Sequence, residues 1–301
     1  MGTIFIATAE GLHVVSDGKL RVELEGHEVT ALTAQGRTLW AVVDGMSLRR
    51  RAADGGWSEV AAIEGLTGRC LLASGAELLV GTSGARLFRL QVDSLRPEEG
   101  FDQVEGRDGW YTPWGGPPDT RSLSRSEDGR LFANVHVGGI PRSADGGRTW
   151  EPTIDVDTDV HQVLASDGSV FAALGDAGLA VSDDGGDGWR TFIDGLHAAY
   201  CRAVAAGDGA VYVSASESHV GRRAAVYRAE LGTDLRFEKC TSGLPEWFDA
   251  NVDTGWLAAS EEMVAVGGPD GSVFLSRDRG ATFRIVAEGL PSLRWLLLSP
   301  G

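Results

Sequence analysis

A short apolar run, a turn of Gly, Asp or Ser, and a second alternating run ending in small residues recur along this chain. The phrase "CRAVAAGDGAVYVSASE" (201–217) is the template. Its grammar returns in "HQVLASDGSVFAALGD" (161–176), "RSLSRSEDGRLFANVH" (121–136), "RCLLASGAELLVGTS" (69–83), "TALTAQGRTLWAVVD" (30–44) and "GWLAASEEMVAVGG" (255–268). A seventh copy is split between the termini, "RWLLLSPG" at the end and "TIFIATAEG" near the start. Runs of four to eight residues with period-two alternation, bounded by turn residues, predict strands, and a repeat of this length predicts an array of identical units.

Aligning the first strand of each unit on one position gives Thr30, Arg69, Arg121, His161, Arg202, Gly255 and Arg294, with spacings of 39, 52, 40, 41, 53 and 39 residues. Each unit has room for two further short strands, as in "GLAVSDDGGDGWRTFIDG". Seven four-stranded units of this period predict an all-β, seven-bladed β-propeller occupying 1–301 as a single domain, because one such sheet cannot bury both its faces alone. The C-terminal "SLRWLLLS" is expected to join the N-terminal strands as the inner strand of their blade, which removes an open edge. The two long spacings place insertions near 91–119 and 214–253, both expected on the face that also carries the loops before first strands.

The phrase "SADGGRTW" (143–150) returns as "SDDGGDGW" (182–189) and "SRDRGATF" (276–283), each between the third and fourth strands of a unit. An Asp there accepts hydrogen bonds from turn amides, Gly supplies positive φ, and the closing aromatic packs back on the sheet. Eroded versions stand in "RAADGGW" and "VVSDGKL". The phrase resembles the Asp-box, or BNR, repeat Ser-x-Asp-x-Gly-x-Thr-Trp of WD40/YVTN/BNR-like propellers: Ser143, Asp145, Gly147, Thr149 and Trp150 fit it best. The family includes sialidases and other glycoside hydrolases, sortilin-like receptors and photosystem assembly factors, so the resemblance implies a fold and leaves function open.

Composition narrows the partners. The formal net charge is −16, from 27 Lys and Arg against 43 Asp and Glu, which repels nucleic acid and anionic membrane surfaces. With 42 Gly and 10 Pro the chain favours turns over long helices. Three scattered cysteines, Cys70, Cys201 and Cys240, form neither a disulfide framework nor a CxxC site, and no leader or membrane-length apolar run is seen; a cytoplasmic, reduced protein is expected.

Five of the six histidines, His27, His136, His161, His197 and His219, map to the face of the insertions. The aligned positions add Arg69, Arg121, Arg202 and Arg294, and two residues earlier in the same register stand Glu28, Asp119, Asp159 and Asp253, with Tyr200 and Thr67 between. Two readings follow. Either these groups are salt bridges between blades, or guanidinium forks bind the acid group of a small anionic or sugar-like ligand while carboxylates and imidazoles handle protons. On the second reading the ligand-binding set is Arg69, Arg121, Arg202, Arg294, His136, His197, Trp110 and Trp114; the catalytic set is Asp159, Asp253, Glu217, His161 and Tyr200. Trp110 and Trp114 crowd a Gly/Pro-rich insertion and suit a stacking wall, whereas Trp247 and Phe248 suit a plug between blades.

Adjacent units could bring His136, His161 and His197 together with carboxylates such as Asp159 around a divalent metal, although no HxH or HExxH spacing supports such a site. A Cys201 nucleophile beside His161 or His197 is the weaker alternative, since Cys201 adjoins the aligned register. The resemblance to sialidases implies an arginine cluster and a Tyr with an acidic partner, for which Tyr200 is the available tyrosine. Sialidases have six blades and an Arg-Ile-Pro motif, whereas this chain has seven units and only "GGIPR", so sialidase activity itself is not expected. Three functions remain: hydrolase or lyase chemistry on a small ligand, ligand binding without turnover, and a protein-interaction scaffold or assembly factor with aromatic anchors.

Overall fold

The computed structural model describes residues 2–299, so the closing Pro-Gly of the last repeated phrase lies outside it. Among the described residues there are seven four-stranded antiparallel sheets, and helix is confined to two 3-10 turns, Phe101–Gln103 and Arg107–Gly109. No helix is long and apolar enough to cross a membrane. Six sheets are meanders of four consecutive strands. The seventh joins the C-terminal strand Leu293–Ser299 to Thr3–Thr8, Gly11–Ser16 and Lys19–Glu23, the clasp expected from the split repeat.

The chain falls into two compact units. One comprises Met1–Glu25, Phe171–Val181 and Arg190–Gly301, the other Gly26–Val170 and Ser182–Trp189. In the first, Tyr212, Val226, Phe248, Val264, Phe274 and Phe283 form one core layer, and Ile4, Ile6, Val273, Leu275, Leu293 and Leu296 form another. In the second, Ala31, Val42, Leu48, Leu71 and Val80 fill one layer, and Leu79, Leu87, Phe101, Leu131, Val135 and Trp150 fill another. Each layer joins side chains of successive sheets, which explains the sequence pattern. Second strands such as Leu131–Val135 and Ala210–Ser216 are buried on both faces and read as continuous apolar or small-residue runs. Outer strands such as Lys19–Glu23 face water along most of their length.

The repeated turn is built from its own side chains. Ser143 Oγ accepts the Gly147 amide at 2.8 Å, and Asp145 accepts the Thr149 amide at 2.9 Å and the Thr149 hydroxyl at 2.8 Å. Trp150 Nε1 donates to the Gly147 carbonyl at 3.0 Å, which folds the indole back onto the turn. Gly147 has φ +95°, and a Cβ there would strike the Glu98 carboxylate, so only glycine fits. Ser276, Asp278, Gly280 and Thr282 repeat the pattern bond for bond. In the third copy Gly188 replaces Thr, and Asp184 keeps the amide contact while lacking the hydroxyl one.

These contacts hold the Asp145 and Asp278 carboxyls down at about 2, Asp145 first through the Thr149 amide and Asp278 first through the Ser276 hydroxyl. A carboxylate depressed in the folded state supports folding above its unfolded value near ~4, and that support is lost as pH falls through about 2. Asp145→Ala and Asp278→Ala are each expected to lower Tm by about 2–4 °C at pH 7, the scale of one lost capping interaction. The difference from the parent should close near pH 2. Melts followed by circular dichroism at both pH values check this, and equal Tm at pH 7 refutes it.

Candidate functional site

The aligned position of the first strands has a structural cause. In five sheets the ladder skips a step there: Thr30, Arg69, Arg121 and Arg294 are each the extra residue of a bulge, and Arg202 with Ala203 opposes the single residue Ser214. A bulge leaves a residue outside the ladder and re-aims its side chain at the sheet end, a device often found beside functional sites. Gly255 keeps the register without a side chain, because a Cβ on it would meet the ring of Trp295.

Within the Gly26–Val170 segment, three loops are tied together by backbone bridges. Val137 pairs with Tyr111 on one side and with Asp159 on the other, and the Tyr111 amide donates to the Val137 carbonyl at 3.0 Å. The Val160 amide reaches the His136 carbonyl at 3.3 Å. Asn134, wholly buried in an apolar strand, donates through Nδ2 to the Val160 carbonyl at 2.7 Å and reinforces the same seam. The insertion bearing Trp114, the loop bearing His136 and the segment bearing Asp159 and His161 therefore converge. Thr112 Oγ1 donates to the Gly115 and Gly116 carbonyls and folds the tip of the insertion around Trp114.

The cluster that results is compact. His161 Nε2 lies 3.3 Å and His136 Nε2 3.7 Å from the same Asp159 oxygen, and the two imidazole rings are 5.6 Å apart at 32°. His161 is fully buried and the His136 side chain is 4% exposed, whereas the Asp159 side chain is 33% exposed, with its imidazole-facing oxygen buried. Arg121 Nη1 approaches His136 Nδ1 at 2.7 Å. A guanidinium only donates, so Nδ1 is the acceptor and the neutral ring carries its proton on Nε2, facing Asp159. Trp114, 73% exposed, lies over His136 with ring centroids 4.8 Å apart.

The other candidates fall into separate groups. Arg202 Nη1 pairs with Asp253 at 2.7 Å, Arg202 Nη2 meets the Tyr200 hydroxyl at 3.4 Å, and Thr254 Oγ1 donates to the Arg202 carbonyl at 3.1 Å. Arg69 pairs with Asp119 at 3.0 Å, the salt-bridge arrangement that formed one of the two readings. Arg294 donates to Ser292 Oγ at 2.8 Å. Trp110 is half-buried, 5.7 Å from the Phe101 ring and beneath the Arg107 guanidinium, where it packs the root of the insertion. Burial pushes the Cys201 thiol up to about 12, which deprives the cysteine alternative of a thiolate.

His197 and Glu217 belong to a group the sequence did not reveal. His197 Nδ1 lies 2.7 Å from the Tyr227 hydroxyl, and its ring stands 4.8 Å from that of Trp247. Trp247 also carries the Lys239 ammonium 3.2 Å and the Arg223 guanidinium 4.3 Å from its centroid, and Arg223 pairs with Glu217 at 3.2 Å. Burial, then the nearby Arg223 charge, lowers the His197 pKa. The one hint in the sequence was that Lys239 is one of only two lysines. A groove of about 570 Å³ lined by Ile4, Val15, Leu275, Arg277 and Ile285 lies beside the Asp278 turn.

No protein-family model and no curated protein matches the sequence. Solved structures do match in fold. The computationally designed Ika8 protein aligns over 97% of this chain and 85% of its own at a TM-score of 0.61 and 16% identity. YCF48 bound to D1 peptide aligns over 94% and 88%, at 0.59 and 16%. A candidate 6-phosphogluconolactonase from Bacteroides uniformis aligns over 99% of both chains, at 0.65 and 13%. The fold is a seven-bladed β-propeller. At these identities the likeness speaks for the propeller architecture alone.

Proposed function

We propose that this propeller, a member of the Asp-box class, binds a small anionic or sugar-like ligand at the Arg121–His136–Asp159–His161 cluster beneath Trp114, and that Asp159 lends the site hydrolase or lyase chemistry. The observation that carries the reading is a half-exposed carboxylate backed by two buried imidazoles, with a guanidinium and an exposed indole beside it. A carboxylate accepts ligand hydroxyls, an indole face stacks on the apolar side of a ring, and a guanidinium fork takes an acid group. Placed between the two imidazoles and reaching the surface, the Asp159 carboxylate is suited to take a proton from a hydroxyl or water. The fold likeness to a protein named for lactone hydrolysis is compatible with this and carries no more weight than fold. The proposed protein is cytoplasmic and has no nucleic-acid or membrane partner.

A thermal-shift screen of sugar acids, sugar phosphates and sugar lactones, followed by turnover assays of the hits, tests the reading. Stabilisation should grow with ligand concentration by mass action, reaching about 2.7 kcal/mol at a hundredfold excess over Kd. Arg121→Met and Trp114→Ala should each weaken binding about tenfold or more, Asp159→Asn should abolish turnover, and Asp145→Ala should lower Tm without changing affinity. Normal binding by all three cluster variants would remove the assignment.

A second reading, a protein-interaction scaffold, is favoured by the Trp247 group, where Trp, Tyr and Arg gather as they do in interface hot spots. A Trp247→Ala variant that loses a captured partner while keeping every small-ligand shift would favour it.

A further inference from the structure

We infer that His136, Asp159 and His161 are the protein half of a zinc-class divalent metal site, and that Arg121 competes with the ion for His136. The inference deepens the ligand-site reading, since the ion lies at the same cluster, but it is tested with metal alone. The three ligand atoms lie within 4.8 Å of one another, and the two contacts to Asp159 measure 3.3 and 3.7 Å. Zinc bonds of about 2.1 Å in a tetrahedron put neighbouring ligands about 3.4 Å apart, so one ion fits with small side-chain adjustments. Two imidazoles and one carboxylate favour zinc, cobalt or nickel over magnesium and calcium, which prefer oxygen. Three protein ligands leave a coordination position for a ligand oxygen, as open rather than structural sites do. The buried imidazoles supply a dry wall, and the half-exposed Asp159 supplies the entry side.

The contact with Arg121 makes the site conditional. A metal-bound histidine needs its lone pair on the ligating nitrogen and its proton on the other, where an acceptor normally receives it. Here Arg121 donates to Nδ1 at 2.7 Å, which puts the proton on Nε2, the atom nearest Asp159. Metal entry therefore requires the ring to give up the Nε2 proton and take one on Nδ1, with no net change in protons, and Arg121 to withdraw. An anion that draws Arg121 onto itself should free Nδ1 and tighten metal binding, and by linkage the metal should tighten the anion.

The protein, stripped with chelator and dialysed, is titrated with Zn²⁺ by calorimetry and with Co²⁺ by visible absorbance, which reports nitrogen coordination. We expect one ion per chain, a loss of about 100-fold or more in affinity for Asp159→Asn and His161→Gln, and a gain of about tenfold for Arg121→Met. Cobalt should quench a tryptophan component that Trp114→Phe removes. Asp159→Asn, at a half-exposed position, keeps the test valid if the buried His161 variant fails to fold. Absent stoichiometric uptake, uptake indifferent to Asp159→Asn, or Arg121→Met binding no tighter than the parent would each overturn the inference. Stabilisation by sugar acids in the presence of chelator would leave the ligand site standing without the metal.

Discussion

A chain lacking residues 293–301 should show no cooperative thermal transition. Strand Leu293–Ser299 pairs along the whole of Thr3–Thr8, from Thr3 with Ser299 to Thr8 with Leu293. Leu293, Leu296 and Leu298 are buried in the layer that holds Ile4, Ile6, Met263 and Leu275. At about 2 kcal/mol for each buried leucine, the deletion removes about 6 kcal/mol of apolar burial, against a total stability of order 5–15 kcal/mol for a folded domain. It also opens the edge of Thr3–Thr8 and deprives the Gly255 carbonyl of the Leu296 amide that donates to it. Near-ultraviolet circular dichroism against temperature checks this, with Leu296→Ala as a graded companion expected to cost about 2–5 kcal/mol. A truncated chain melting within a few degrees of the parent would show that the clasp carries little of the stability.

The strands were legible because burial on both faces imposes a pattern that recurs at every repeat, and because turn residues mark each reversal. The turn phrase was legible for the same reason: Ser143, Asp145, Gly147 and Thr149 contact one another, so local sequence contains the whole interaction. Arg69, Arg121, Arg202 and Arg294 likewise share one repeat register, while the bulge at each leaves no mark in the sequence, since a bulge adds one residue without changing residue type. The pairing of Arg69 with Asp119 and of Arg202 with Asp253 joins residues tens of positions apart, where only the repeat offset offered a clue.

What was hidden lies in contacts without period. The seam of Tyr111, Val137 and Asp159 consists of single bridges between loops, which leave no alternation to read. The Trp247 group draws on an outer strand, an insertion and a loop, and Arg223 there adopts φ +51°, a backbone setting that its residue type does not announce. An aromatic in a Gly/Pro-rich insertion, such as Trp110, serves equally as a ligand wall or as packing, and its deciding partner, Phe101, lies nine residues away within the same insertion.

Phe101→Ala is expected to be the most damaging single truncation near the candidate site. Phe101 has no exposed surface; its ring meets Trp150 edge-on at 5.2 Å and Trp110 at 5.7 Å, and the Arg107 guanidinium lies 5.5 Å from its centroid. Removing a buried phenyl ring costs about 3–5 kcal/mol from lost burial and the cavity left behind, and the edge-on pair adds to it. The position joins two structural systems, because Trp150 closes the Asp145 turn while Trp110 roots the insertion that carries Trp114. Urea unfolding should therefore show a lower midpoint with an unchanged slope, and the folded fraction should bind any Trp114-dependent ligand more weakly because the root of the insertion has lost its anchor. Phe101→Leu should recover much of the stability but less of the binding, since leucine refills volume without restoring the flat contact against the two indoles. Equal recovery of both would mean that Trp114 is positioned by the Thr112 turn and the Tyr111 bridge alone.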